Sequence, residues 1–124
     1  MVGSNTFRQI ALSFPETSEH PHFVKRAFKC GKKLFATLDE KNHQACLRLS
    51  LIDQDVFCAF DRTIIFPVPS KWGLQGWTLF DLKKVKKSML QDALTTAYCE
   101  AAPAKLVAQF KSGDAAQKIE KVKP

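Results

Sequence analysis

Apolar residues along the chain recur with two different periods, and these periods divide it into helices and strands. Within residues 7–14 they fall at i, i+3, i+4 and i+7, which is the spacing of one helical face, and Ser4 or Asn5 suits the N-cap. Pro15 cannot continue this helix, so we expect the helix to end there. The polar stretch 16–22 that follows predicts a loop.

Three consecutive strands are predicted next, with alternating apolar and polar positions in the second and third, and with apolar and basic residues on both faces of the first. They span residues 23–30, 33–38 and 43–50. Between the first two, Gly31-Lys32 suits a two-residue type II′ turn, which needs glycine in first place, and the polar residues 39–42 form a second turn. Because short turns join antiparallel neighbours, these strands predict a meander.

The helical period returns over residues 51–60. The apolar residues that we expect to face the core there are Ile52, Val56, Ala59 and Phe60. Two more strands follow at residues 63–66 and 76–80, where branched and aromatic side chains are frequent. The second half of the predicted sheet therefore lies beyond a helix.

The longest helical stripe runs over residues 90–101. Ser88 followed three residues later by Gln91 has the form of a capping box, which predicts the start of this helix. Pro103 closes it and can begin a second helix over residues 104–110. The chain thus ends in two predicted helices.

Taken together, the order of elements predicts an α+β fold with two layers. A five-stranded antiparallel sheet, with three strands before a helix and two after it, would be covered by the N-terminal helix and the C-terminal helices. We expect residues 1–112 to form a single domain and residues 113–124, which carry three lysines, to form a flexible basic tail.

The segment 66–78 contains both tryptophans, two of the five glycines and two of the six prolines. Proline stiffens the backbone, glycine permits close crossings, and an indole adds apolar area with one N–H donor. We interpret the segment as a rigid loop attached to the core, and the residues with this structural role are Pro67, Pro69, Trp72, Gly73, Gly76 and Trp77. For Trp72, stacking on a base or contact with a partner is the alternative.

Length and composition fit one folded domain: 124 residues, 45% of them hydrophobic, with ten phenylalanines. No apolar run approaches the roughly 20 residues of a membrane helix, and the first residues lack the pattern of a signal peptide. We therefore expect a cytoplasmic protein that has no membrane partner and is monomeric.

The 19 basic residues exceed the 12 acidic ones and give a net charge of +7. Such a charge is compatible with nucleic acid, an anionic membrane or an acidic protein, and also with solubility alone. Of the basic residues 15 are lysines, which bind phosphate as point charges and read bases poorly. The candidates for contact with nucleic acid are Lys25, Arg26, Lys29, Lys32, Lys33, Lys71, Lys83, Lys84, Lys86 and Lys87.

Residues able to carry catalysis or hold a metal do not form a recognisable pattern. The four cysteines are Cys30, Cys46, Cys58 and Cys99, and no two have the short spacing of a zinc or redox site. His20 and His22 resemble half of a metal site, without nearby residues to complete it. We expect no cofactor, no metal and no enzymatic activity.

Several segments of the chain resemble the MmcQ/YjbR family of small bacterial proteins. The matching segments are residues 11–16 and 31–38, residues 67–78 with their Trp-Gly-x-x-Gly-Trp pattern, and Leu90, Ala93, Leu94, Ala97, Tyr98 and residues 102–106. The resemblance implies a frataxin-like (CyaY-like) or secretion-chaperone-like topology and a "double wing" DNA-binding role without a catalytic motif. From it we expect DNA as partner, and the alternative is a protein-binding module that uses the face of the sheet.

Overall fold

The computed structural model describes residues 2–109. The helices are α1 (Ser4–Leu12), α2 (Leu51–Phe60), α3 (Lys71–Leu74) and α4 (Lys87–Ala101). The strands are β1 (Thr17–His22), β2 (Lys25–Cys30), β3 (Lys33–Asp39), β4 (Gln44–Arg48), β5 (Ile65–Pro67) and β6 (Trp77–Asp81). A further helical segment follows at residues 104–109. The predicted boundary at residue 112 and the predicted tail lie outside the described residues.

The strands form one open antiparallel sheet in the order β1-β2-β3-β4-β6-β5. The α+β class is confirmed, but the prediction of five strands is wrong because the structure has six. The additional strand is β1, in the stretch that the sequence predicts to be a loop. Its six residues pair with β2, from Thr17 opposite Cys30 to His22 opposite Lys25.

Strand β1 escapes prediction because its sequence is polar throughout and contains Pro21. At the edge of a sheet a strand can tolerate proline and needs no apolar face. Pairing with β2, and not hydrophobic alternation, therefore determines this strand. The predicted turn at Gly31-Lys32 is confirmed: Cys30 pairs with Lys33, and Gly31 has a φ of +60°.

Helices α1, α2 and α4 pack on the same face of the sheet. The ring contacts are Phe7 of α1 with Phe28 of β2, Tyr98 of α4 with Phe35 of β3, and Phe57 of α2 with Phe80 of β6, at centroid distances of 5.4, 6.1 and 6.3 Å. The pairing register places Phe28 and Phe80 on one side. The opposite side, called here the open face, carries Leu34 of β3, Cys46 of β4, Leu79 of β6 and other half-buried residues.

The expected inward stripe of α2 is wrong. Ile52, Val56 and Phe60 are exposed, and Gln54 and Cys58 are buried instead. Gln54 can be buried because its amide Nε2 donates hydrogen bonds to three oxygen atoms of α3 and β6. A polar side chain thus takes the place in the core that the apolar pattern predicts for others.

Helix α4 buries the stripe that its sequence predicts, from Leu90 to Ala101. The predicted capping box is wrong, because the N-cap is Lys86 and no side chain caps the helix, while Ser88 lies inside it. The N-cap of α1 is likewise Gly3 and not Ser4 or Asn5. In both helices, packing of the apolar side, rather than a polar cap, fixes where the helix begins.

Candidate functional site

The loop between β6 and α4 directs four lysines into solvent. Leu82 and Val85 are almost fully buried and attach the loop to the core. The exposed residues between and after them are Lys83, Lys84, Lys86 and Lys87. The sequence predicts this cluster, and the structure shows that two buried anchors keep all four ammonium groups outside.

The N-terminus of α4 adds to the positive potential of this loop. It has no capping side chain and no acidic residue in its first turn. The first backbone N–H groups of a helix have no partner within the helix, and its dipole is positive at this end. Lysines there repel the dipole, so the arrangement favours an anion as a neighbour.

Backbone hydrogen bonds bring the turn after β3 next to this loop. The Leu82 amide donates to the His43 carbonyl at 2.9 Å, and the Lys83 amide donates to the Asp81 carboxylate at 3.0 Å. Exposed Lys41 therefore lies beside the cluster. Sequence reasoning missed Lys41, because the pairing of β4 with β6 could not be read from the chain.

Lys25 belongs to the same end of the sheet. Asp39 pairs with Gln44, and Gln44 pairs with Asp81, so the end of β3 and the end of β6 are level. Lys25 opens β2 at that level, and its charge contributes to the lowered pKa of Asp39, after the larger effect of the hydrogen bond from Asn42. We call this the basic end of the sheet, formed by Lys25, Lys41, Lys83, Lys84, Lys86 and Lys87.

The hairpin between β1 and β2 projects at this end. Its tip is formed by Phe23 and Val24, which are 97% and 90% exposed, and Phe23 has a φ of +57°. His22 pairs with Lys25 across the turn. An apolar tip next to a lysine therefore borders the basic end.

The other candidate residues do not join the basic end. Lys32 and Lys33 lie at the far end of β2 and β3, and Lys71 begins α3. Lys29 lies on the open face. Arg26 is engaged on the helical side, where its Nε donates to Glu19 at 2.5 Å. The ten predicted residues are thus divided between both ends of the sheet and both of its faces.

A cleft of about 500 Å³ lies beside the turn with Lys32 and Lys33. Its lining includes Cys30 and Glu16. Burial raises the pKa of the Cys30 thiol, which keeps the sulfur protonated and poorly nucleophilic at neutral pH. Among the described residues, the cleft therefore offers two lysines, a carboxylate and a protonated thiol.

The segment with both tryptophans is held by its glycines. A Cβ atom at Gly73 would collide with the Val68 carbonyl oxygen, and one at Gly76 would collide with the Leu49 carbonyl oxygen. Trp72 is exposed and Trp77 is half-buried. Neither indole is therefore fully buried, whereas the sequence predicts that both attach the loop to the core. Pro67 ends β5 and Pro69 precedes α3. Close backbone crossings, and not buried indoles, make this loop rigid.

Within residues 2–109, no group of three histidines, cysteines or acids is placed to hold a metal ion. The Nε2 atom of His20 lies 2.7 Å from the Ser18 hydroxyl oxygen, and the His22 ring contacts the Phe23 ring. Burial also raises the pKa values of the Cys46 and Cys58 thiols. In the described part of the chain, no helix has the length and apolar character to cross a membrane.

Comparison with known proteins gives two similarities. A family model described as YjbR matches residues 12–100. The crystal structure of protein DR2400 from Deinococcus radiodurans, whose domain is given as DUF419, is similar with a TM-score of 0.73, at 16% identity, over 85% of this chain and 82% of that chain. At this identity the second similarity shows the fold alone. No curated protein matches this chain in sequence.

Proposed function

This chain belongs to the YjbR family, and from that premise and the position of its lysines we propose that it is a non-enzymatic protein that binds the phosphate backbone of DNA. The observation that carries the proposal is the basic end, where six exposed or half-buried lysines lie at one end of the sheet and four of them adjoin the uncapped N-terminus of α4. DNA is also the partner that the resemblance to MmcQ/YjbR proteins implies. Contact with phosphate needs positive charge and exposed N–H groups, and both occur here.

The dimensions of the basic end suit a duplex. Lys25 on β2 and the loop after β6 are separated by three strand spacings of about 4.8 Å, or about 14 Å in total. The two positions can therefore contact phosphates on either side of a groove, since the minor and major grooves are about 6 Å and 12 Å wide. None of the six residues is an arginine, so we expect little reading of bases.

Acidic residues at this end reduce its positive charge but do not reverse it, because four carboxylates stand against six lysines. They are Asp39, Glu40, Asp61 and Asp81. Each accepts a hydrogen bond from the protein itself, from Asn42, Arg8, Thr63 and the Lys83 amide respectively. These hydrogen bonds fix the positions of the four carboxylates but do not remove their charge.

Fluorescence anisotropy with a labelled duplex tests the proposal. We expect binding at low salt that depends little on sequence, with log K falling against log salt by about 0.9 per phosphate contacted. A variant with Gln at positions 83, 84, 86 and 87 should lose most affinity and reduce the slope by up to about 4. The matched control has Gln at positions 29, 32, 33 and 71, which removes the same charge and should retain binding.

Two results would contradict the proposal. The first is the absence of binding by the wild-type protein at low salt. The second is an equal loss in both quadruple variants, because this would mean that net charge alone attracts the DNA.

The open face of the sheet supports a second candidate function, which is binding of another protein. Leu34, Leu79 and Trp77 lie there half-buried, on the side opposite the three helices that pack on the sheet. Aromatic and aliphatic side chains of this kind form the centres of protein interfaces. A complex of this type would persist at high salt, and the substitution Leu79→Glu would abolish it. DNA binding, in contrast, would weaken at high salt and would not be abolished by Leu79→Glu.

A further inference from the structure

Helix α2 exposes an apolar face along its whole length. We call it the α2 face: it is formed by Leu51, Ile52, Val56, Ala59 and Phe60. Ile52, Val56 and Phe60 are 77%, 64% and 57% exposed. Contiguous apolar surface of this kind is uncommon on a monomer and marks a surface that binds something.

Packing within the domain does not account for the α2 face. The helix contacts the core through its other side, where Phe57 meets Phe80 and Gln54 binds the backbone of α3 and β6. α3 lies beside the N-terminal half of α2, because Gln54 donates to the Gly73 carbonyl. Trp72 and Leu74, on either side of Gly73, are 53% and 78% exposed.

We propose that the α2 face binds a second copy of this chain, with the two α2 helices antiparallel about a two-fold axis. The five apolar side chains of the α2 face expose on the order of 500 Å² per copy, so that two copies together reach the roughly 1,000 Å² that a specific interface needs. An isologous contact needs a surface that complements itself, and one apolar helix face against its own copy satisfies this condition.

The charges bordering the face fit the antiparallel arrangement. The acidic residues of α2, Asp53 and Asp55, lie in its N-terminal half. Exposed Arg62 follows its C-terminus, next to Asp61, whose carboxylate accepts hydrogen bonds from Thr63. Antiparallel packing brings Arg62 of each copy toward Asp55 of the other, and it also opposes the two helix dipoles favourably. Parallel packing would place the acidic ends together.

Analytical ultracentrifugation of the full chain over a range of concentrations tests this inference. We expect the wild type to dimerise and Val56→Glu to raise the dissociation constant tenfold or more, because a charge then enters the centre of the contact. Val24→Glu is the matched control: it changes the same residue type at an exposed position outside the α2 face and should leave the constant unchanged. Circular dichroism checks that both variants are folded.

Charge exchange tests the arrangement of the two helices. Arg62→Asp should weaken the dimer, and adding Asp55→Arg to the same chain should restore it, because the pair is then reversed but complementary. A wild type that remains monomeric at every concentration, or a Val56→Glu chain that dimerises normally, overturns the inference. A double variant no tighter than Arg62→Asp alone overturns the antiparallel pairing. DNA binding at the basic end does not enter either experiment.

Discussion

Gly76 lies so close to Leu49 that a Cβ atom at position 76 would collide with the Leu49 carbonyl oxygen. The Leu49 amide donates a hydrogen bond of 2.9 Å to the Gly76 carbonyl. Gly76 also has a φ of +102°, a region that favours glycine. This crossing joins the chain after β4 to the start of β6, and β6 leads directly into the lysine loop.

Replacing Gly76 by Ala should therefore destabilise the protein through both a clash and an unfavourable backbone angle. We expect the free energy of unfolding to fall by about 3 kcal/mol or more. Gly31→Ala separates the two effects, because Gly31 has a φ of +60° but open space around its Cβ position. That control should cost only about 1 kcal/mol. Urea unfolding measures both, and equal losses would show that the clash contributes nothing.

Glu19 joins α1 to the edge of the sheet by accepting hydrogen bonds from Arg8 Nε at 3.1 Å and from Arg26 Nε at 2.5 Å. Burial raises the pKa of Glu19, but the hydrogen bonds from Arg26 and Arg8 outweigh it, and the pKa is lowered overall. A carboxyl group whose pKa is lower in the folded state stabilises the protein above its ordinary pKa. This stabilisation is lost as the pH falls through the folded-state pKa.

Glu19→Gln should consequently lower the free energy of unfolding by about 1–3 kcal/mol at pH 7. Its difference from the wild type should shrink as the pH falls below the ordinary glutamate pKa of about 4.3 and through the lower folded-state pKa of Glu19. Urea unfolding at several pH values measures this difference. Glu100→Gln, at an exposed position of α4, should have little effect at any pH. A Glu19→Gln deficit that is the same at pH 7 and pH 3 would contradict the prediction.

Gln54 supplies the polar contact that lets α2 pack against β6. Its Nε2 donates to the Gly73 carbonyl at 3.0 Å, to the Trp77 carbonyl at 3.2 Å and to the Thr78 hydroxyl at 3.1 Å. Gln54→Glu replaces this donor with a carboxylate that faces the same acceptors. Burial and repulsion would raise the pKa of the new carboxyl group in the folded state.

The stability of the Gln54→Glu chain should therefore be greatest at low pH and fall as the pH rises through the raised pKa. We expect a loss from pH 4 to pH 7 that exceeds that of the wild type by about 1–3 kcal/mol. Gln54→Met is the control, because it removes the donor without adding charge and should cost about 2 kcal/mol at both pH values. Thermal unfolding at the two pH values measures the effect, and parallel curves for the two variants would refute it.

The sequence predicts an element well where the residues facing the core are apolar. Helix α4 satisfies this condition over its whole length. Strand β1 does not, because it is polar and is held by pairing with β2, and α2 does not, because it buries Gln54 and exposes Ile52. In both cases a contact with a distant part of the chain decides the structure, and a local pattern carries no signal of it.

The candidate site divides in the same way. The lysines of the loop before α4 are adjacent in sequence, so their proximity could be predicted. Lys41 joins them only through the pairing of β4 with β6, which no local pattern reveals. Lys32 and Lys25 are both candidates from the sequence, but they lie at opposite ends of β2 and its turn. The ion pair between Arg26 and Glu19 could likewise not be predicted from the sequence.

Tyr98 donates a hydrogen bond of 2.9 Å to the Pro15 carbonyl and stacks on Phe14 with ring centroids 4.8 Å apart. Burial, and then the neighbouring Cys30, raise the pKa of Tyr98 to about 12. The unfolded chain would ionise first, near pH 10, so the stability from this phenol is present below pH 10 and is lost as the pH rises toward 12.

Tyr98→Phe keeps the ring and should lower the free energy of unfolding by about 1 kcal/mol at pH 7. The deficit in the free energy of unfolding relative to the wild type should narrow above pH 10. Because the chain has one tyrosine, phenolate absorbance reports this group directly, and a midpoint near 10 in the folded protein would contradict the assignment.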